Sequence, residues 1–268
     1  MSTSAWTLTV ATSLLAGAPR GAETSRAEYR EREVTVVFDG GALSEGEMEA
    51  FARLVGAGIR DIREHLGRHA SGVRLRAEAP TFYVTRRARI SRAFRRTVVL
   101  PLHRVRDRRA PYLHEAAHVL VHARNPEVWL NEGFASYIES YIAENVGGYA
   151  GHVFSTGGNA GIDADARRHL RSRHGQVALD FVGRHGTPPG FYRDREGVAP
   201  PLYVLAHSFF KYLVENQGLG PAVRLLEAPV SARALEAATG RPMEGWKRAW
   251  LRSLEQPEPS GRRSGARE

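Results

Sequence analysis

Cysteine is absent from the 268 residues, and with it go disulfides, thiolate catalysis and every cysteine-ligated zinc site. Any metal in this protein must therefore sit on histidines and carboxylates. Lysine is nearly absent too: Lys211 and Lys247 are the only two lysines among 38 basic residues. The arginines that make up the rest are spread over almost the whole chain, as a codon bias would spread them, and no nucleic-acid recognition motif accompanies them. The net charge of +9 thus gives no reason to expect a specific nucleic-acid partner. No apolar run approaches the roughly 18 residues that would cross a bilayer, and no internal repeat is present.

What is present suits one main domain. Hydrophobic residues make up 42% and aromatics 9% of the chain, enough for a single sizeable core. Residues 1–30 read as a leader or signal-like segment, because a modestly apolar stretch from Ala5 to Ala18 ends in small residues, as a secretory signal does. That favours an exported protein over a cytoplasmic one with a disordered leader, although no Lys or Arg precedes the stretch and Pro19 follows it directly. The tail, residues 256–268, is polar and reads as disordered.

Between them, residues 33–40 (EVTVVFDG) alternate as a strand should. Ser44 and Glu47 form a capping box that opens a helix down to Gly67, with Met48, Phe51, Leu54, Val55, Ile59, Ile62 and Leu66 near helical spacing. Residues 73–102 offer two or three strands, VRLRAE, TFYVT and TVVLPL, with the arginine-rich RRARISRAFRR between the last two. From Asp107 onward helices dominate, at about 109–124, 130–145, 163–171, 200–217, 219–227, 231–239 and 242–255. This order gives an α+β class: a small N-terminal mixed sheet followed by a mainly helical C-terminal part. The glycine-rich stretch 147–161 is a candidate lid.

The chemistry concentrates in HEAAHVLVHARNPEVWLNEG, residues 114–133. On a helix, residues four apart lie about 40° and 6 Å from each other, so His114 and His118 project from one face and can reach one ion. Glu115 can face the same cleft without ligating, as a general base requires. Leu113, Ala116, Ala117, Leu120 and Val121 form a separate apolar stripe for the core.

A third ligand is then needed. His122 stands too far along the helix to share a tetrahedral ion with both other histidines. The metzincin pattern would place a glycine and a histidine where Val121 and Arg124 stand, which rejects that class. Glu132 fits better: the first helix can run to Arg124, Asn125-Pro126 stops it, and a return would put Glu132 in the first turn of the next helix. As an alternative, Glu132 would merely favour the positive end of the helix dipole.

HEAAH followed by VWLNEGFASYIE resembles the gluzincin zinc peptidases. WLNEGFA and SYIE look like the aminopeptidase motif, at a spacing a few residues shorter and similar to compact MA-like peptidase domains. The resemblance covers residues 110–145 well and 200–220 loosely. It implies a zincin-like domain over residues 31–255, one zinc ion on His114, His118 and Glu132, Glu115 as base, and a peptide or protein substrate. It also matches Glu139 to a glutamate that hydrogen-bonds a ligand imidazole, against the alternative of a surface salt bridge.

PPLYVLAHSFFKYL, residues 200–213, looks like the downstream helix that carries a catalytic tyrosine in these families. Tyr203 stands at the matching position, Ala206 stands where aminopeptidases have glycine, and His207, one turn on, could donate to the oxyanion instead. No GAMEN-like segment precedes the zinc helix, which favours an endopeptidase over an aminopeptidase. The TVVLPL strand is expected to be the sheet edge that holds substrate, and the arginine-rich 86–96 region would tolerate acidic substrates. A non-catalytic zincin-fold binding protein would need a lost ligand or base, and a basic nucleic-acid-binding protein would need a steep salt dependence of affinity.

Overall fold

The computed structural model describes residues 7–10, 26–39, 43–146, 148–149, 158–184, 186–188, 191, 197–229 and 232–256. Six strands form one mixed sheet: β1 (Thr7–Val10), β2 (Arg26–Arg30), β3 (Thr35–Asp39), β4 (Thr81–Thr85), β5 (Arg92–Phe94) and β6 (Thr97–Pro101), in the order β1-β2-β3-β4-β6-β5. The central strands β3, β4 and β6 run parallel, while β1, β2 and β5 add antiparallel.

Alternation does the work within the sheet. Val36, Phe82 and Val98 are register partners, as are Phe38, Val84 and Leu100. All six are buried, and they share one face because side chains repeat every second residue. Helix α1 (Glu45–His69) supplies the crossover between parallel β3 and β4. It buries Ala52, Val55, Ile59, Ile62 and Leu66, the stripe that the sequence spacing indicates. Its start is the expected capping box: Ser44 Oγ accepts from the Glu47 amide at 3.3 Å and Glu47 Oε2 accepts from the Ser44 amide at 2.7 Å.

Two expectations for the sheet change. Residues 73–78 do not form a strand; Leu75 makes only an isolated bridge with Val121. Strand β5 instead arises inside the arginine-rich segment, held by its pairing with β6. As a result TVVLP is an internal strand between β4 and β5, and β5 is the edge. Strands β1 and β2 fall within the first thirty residues read as a leader: in β2, Tyr29 is buried while Arg26 and Arg30 are exposed. The rest of that segment lies outside the described residues, as do the tail after Gln256 and most of the glycine-rich stretch, of which 158–161 open a helix.

The remainder is helical: α2 (Leu102–Arg106), α3 (Tyr112–Leu120), α4 (Val128–Asn145), α5 (Gly158–Leu170), α6 (Arg173–Leu179), α7 (Ala199–Gln217), α8 (Leu219–Glu227), α9 (Ala232–Thr239) and α10 (Met243–Glu255). Helix α4 crosses α7 very closely, because a Cβ added at Gly133 would lie 2.5 Å from the Ala206 carbonyl oxygen. Trp129, Phe209 and Trp250 pack through the middle of this layer as tilted rings with centroids 5.5 and 5.2 Å apart. Among the described residues no helix is long and apolar enough to cross a membrane.

Candidate metal centre

Helix α3 carries HEAAH, and its core stripe enters the interior as its spacing requires: Leu113, Ala116, Ala117 and Leu120 are all buried. The helix ends at Leu120, earlier than Asn125-Pro126 would impose. Val121 adopts an extended conformation because it bridges to Leu75, and the Arg76 amide donates to the Leu120 carbonyl at 2.8 Å. His122 is therefore off the helix and exposed.

The connection to α4 is tied down by its own polar groups. The amides of Arg124 and Asn125 both donate to the Leu226 carbonyl, at 2.7 and 2.9 Å. Asn131 Nδ2 donates to the carbonyls of Asn125 and Glu127 at 2.7 and 2.8 Å. Asn131 immediately precedes Glu132, so this pair of bonds holds the first turn of α4 to the loop that delivers it. Its place inside the NEG triplet was the sequence signal for this role, which spacing arguments alone did not reveal.

His114, His118 and Glu132 converge, with one ligand atom from each within 4.8 Å of the others. His114 Nε2 lies 3.0 Å from Glu132 Oε2 and 3.1 Å from His118 Nε2; His118 Nε2 lies 3.5 Å from Glu132 Oε2. Bonds of about 2.0–2.1 Å to a tetrahedral ion set ligand atoms about 3.3 Å apart. The three observed separations bracket that value, so the donor atoms are spaced as three ligands of one tetrahedral zinc ion would be.

Electrostatics follow from burial and this crowding. Burial acts to raise the Glu132 carboxyl, but the His118 charge and hydrogen bonds from both imidazoles outweigh it and hold the group well below the carboxylate range. Burial likewise opposes the charge on His118, yet Glu132 lifts it above an ordinary histidine. Glu115, 7% exposed, is not one of the converging atoms. Burial pushes its carboxyl up to about 7, the neighbouring His118 charge opposing that rise. A carboxyl poised there can both take and return a proton near neutrality.

Glu139 is 1% exposed, so a surface salt bridge is not its setting. Its Oε2 lies 3.9 Å from His114 Nδ1, the ring nitrogen away from the converging atoms. Burial, then Glu115, raises its carboxyl well above the ordinary value.

The two α7 candidates separate. Tyr203 faces the cavity beside the histidines, its ring centroid 6.1 Å from that of His114 and stacked on Phe191 at 5.6 Å. His207 is buried beneath, and its Nε2–H donates to Asn159 Oδ1 at 2.6 Å. Burial, then the Lys211 charge, pushes its imidazole down to about 3. The cavity occupies about 510 Å³. Its wall is completed by residues 90–95 and Arg104, which the motif did not identify.

No protein-family model matches the chain, and no curated protein matches it by sequence. Solved structures do. An M1 zinc metallopeptidase from Deinococcus radiodurans superposes with a TM-score of 0.50 at 20% identity, over 96% of this chain and 54% of its own. A glutamate-to-alanine mutant M1 zinc metallopeptidase from the same organism, bound to a Tyr-Ser-Ala substrate, gives 0.50 at 18% identity over 94% of this chain and 53% of its own. The fold is zincin-like. This chain spans about half the length of those zincin relatives, and within the zincin-like frame the histidine pair sits on α3 and the carboxylate on α4, each delivered by backbone hydrogen bonds described above.

Proposed function

We propose that this protein is a zinc-dependent peptidase, acting on internal bonds rather than removing single N-terminal residues. The observation that carries the reading is the convergence of His114, His118 and Glu132 on one point with Glu115 beside them in an open cavity. His114, His118 and Glu132 would hold the ion. When bound, zinc supplies Lewis acidity, which acidifies water and polarises a carbonyl.

The remaining work falls to the protein. The Glu115 carboxylate takes a proton from the attacking water; as the C–N bond breaks, it returns that proton to the departing amine. The Tyr203 hydroxyl donates to the carbonyl oxygen as negative charge grows there. Glu139 Oε2 stands 3.9 Å from His114 Nδ1, beyond hydrogen-bond reach; closing that gap when the ion is held would let it accept from the Nδ1–H and keep Nε2 of that ring free to ligate. The extended substrate backbone pairs with β5, the sheet edge that lines the same cavity, in place of the TVVLP strand. The peptide bound to one structural relative supports a peptide substrate, and the lack of a GAMEN-like segment supports an endopeptidase.

The test is metal analysis with a casein assay on wild type, Glu132→Ala and Glu115→Gln. Glu132→Ala is expected to lose zinc; Glu115→Gln is expected to keep zinc and lose hydrolysis. Full zinc occupancy without Glu132 removes the ligand assignment. Zinc bound by wild type without hydrolysis of any peptide would make this a binding protein on the same fold.

A further inference from the structure

We infer that the cleft selects peptides bearing a carboxylate close to the bond to be cut. This rests on the peptidase reading and names its substrate class. Three arginines from two separate elements reach the cavity that holds His114 and Glu115: Arg92 on β5, Arg95 in the turn after it, and Arg104 on α2. The acids lining that cavity are Glu115 and Glu132 alone among the described residues, and the chemistry occupies both. A divalent ion offsets those two negative charges, and the Arg92 and Arg95 guanidiniums remain on the wall.

Several surface arginines are matched with acids, as in Arg53–Glu49, Arg60–Glu31 and Arg184–Glu244, while others are not. Arg92 and Arg95 have no acidic partner among the described residues. Arg95 has φ +55°, a left-handed conformation that glycine adopts far more readily, so the turn accepts strain at the position that carries the guanidinium. The guanidinium is also steadied: its Cζ lies 5.3 Å from the centroid of Phe94, itself 69% exposed at the cavity rim.

A guanidinium fork matches a carboxylate with two parallel hydrogen bonds. Such a group on a peptide comes from an aspartate or glutamate side chain or from a free C-terminus. Pairing the substrate backbone with β5 brings either source alongside Arg92 and Arg95, because in a strand alternate side chains of neighbouring chains stand together on one face.

The experiment uses the full-length, zinc-loaded Glu115→Gln protein as a non-cleaving binder and fluorescence anisotropy with labelled decapeptides. The parent peptide carries glutamines and an amidated C-terminus; one arm replaces a central glutamine with glutamate, and another frees the C-terminal acid. The expected result is binding of at least one carboxylate arm about tenfold tighter than the parent, with the arm that gains identifying the source. In Arg92→Gln/Arg95→Gln, both exposed positions, the contrast falls below about twofold while melting temperature and zinc content hold. Arg92→Glu/Arg95→Glu turns the preference toward lysine-containing peptides. Equal binding of all three arms, or a contrast that survives the double glutamine variant, overturns the inference. Turnover by wild type separates the two readings: cleavage without regard to charge removes only this inference, whereas charge-selective binding with no cleavage of any arm removes only the peptidase.

Discussion

Gly133→Ala tests the helix crossing on which the centre depends. The added Cβ would lie 2.5 Å from the Ala206 oxygen, 2.9 Å from its carbonyl carbon and 3.2 Å from Phe210 Cβ. Ordinary contact begins near 3.4 Å, so α4 and α7 must part by close to an ångström. Two of the three obstructing atoms are backbone and cannot rotate away. Overpacking of this kind costs about 1–3 kcal/mol, which for a chain of this length lowers Tm by about 2–10 °C.

The consequence is also functional, since Gly133 follows Glu132 and any shift of α4 moves that carboxylate relative to His114 and His118 on α3. Differential scanning calorimetry and a competitive zinc titration of the same preparation would read both effects: a lower Tm and weaker zinc binding. Ala206→Gly supplies an internal control. It removes no atom from the contact, because the clash is with the backbone of residue 206, so it does not rescue Gly133→Ala. A Gly133→Ala protein with wild-type Tm, or full rescue by Ala206→Gly, refutes the reasoning.

Glu139→Gln is expected to weaken zinc binding by about 10- to 100-fold with an unchanged circular dichroism spectrum, measured by chelator competition; unchanged affinity would leave Glu139 without a role toward His114. Tyr203→Phe is expected to lower kcat by about 100- to 1000-fold at constant zinc content, and a loss confined to KM would make the phenol a binding group instead. In metal-free protein, Glu115 keeps its proton when folded up to about pH 7 but releases it near 4.5 when unfolded, so its contribution makes folding less favourable as pH rises between those values, by about 3 kcal/mol in all. Glu115→Gln removes that penalty: in EDTA it should melt with wild type near pH 4.5 and above it at pH 7.5, and a difference that does not grow with pH contradicts the buried, proton-holding carboxyl.

The helices of the centre were legible because their signals are local. The spacing of His114 and His118, the stripe from Leu113 to Leu120, and the start of α4 beside Glu132 all depend on residues within a turn or two of one another. The end of α3 was not legible, because Val121 leaves the helix to meet Leu75, a partner 46 positions earlier whose proximity no window contains. Strand β5 is the same case in sharper form. Arg-Ala-Phe turns only Ala93 toward the core, with its outer two residues exposed, and its pairing with β6 makes it a strand. Alternation did identify β6, but alternation says nothing about which strand lies beside which, so the sheet edge was assigned one strand too far inward.

The glycine of the NEG triplet shows what such a motif encodes beyond its ligand. Gly133 brings no side chain to the centre, yet its lack of a Cβ lets the backbone of α4 rest against that of α7 at Ala206. Tyr203 stands three residues before Ala206 on the same helix, nearly one turn. One backbone contact therefore sets the distance between the Glu132 carboxylate and the cavity-facing phenol, and with it which side of α7 meets the cleft. His207, on the far side of that contact from Tyr203, is carried under α5 to Asn159, although on a helical wheel it is nearly as well aligned. Azimuth alone left the two residues as rivals; the height of the crossing along α7 distinguishes them.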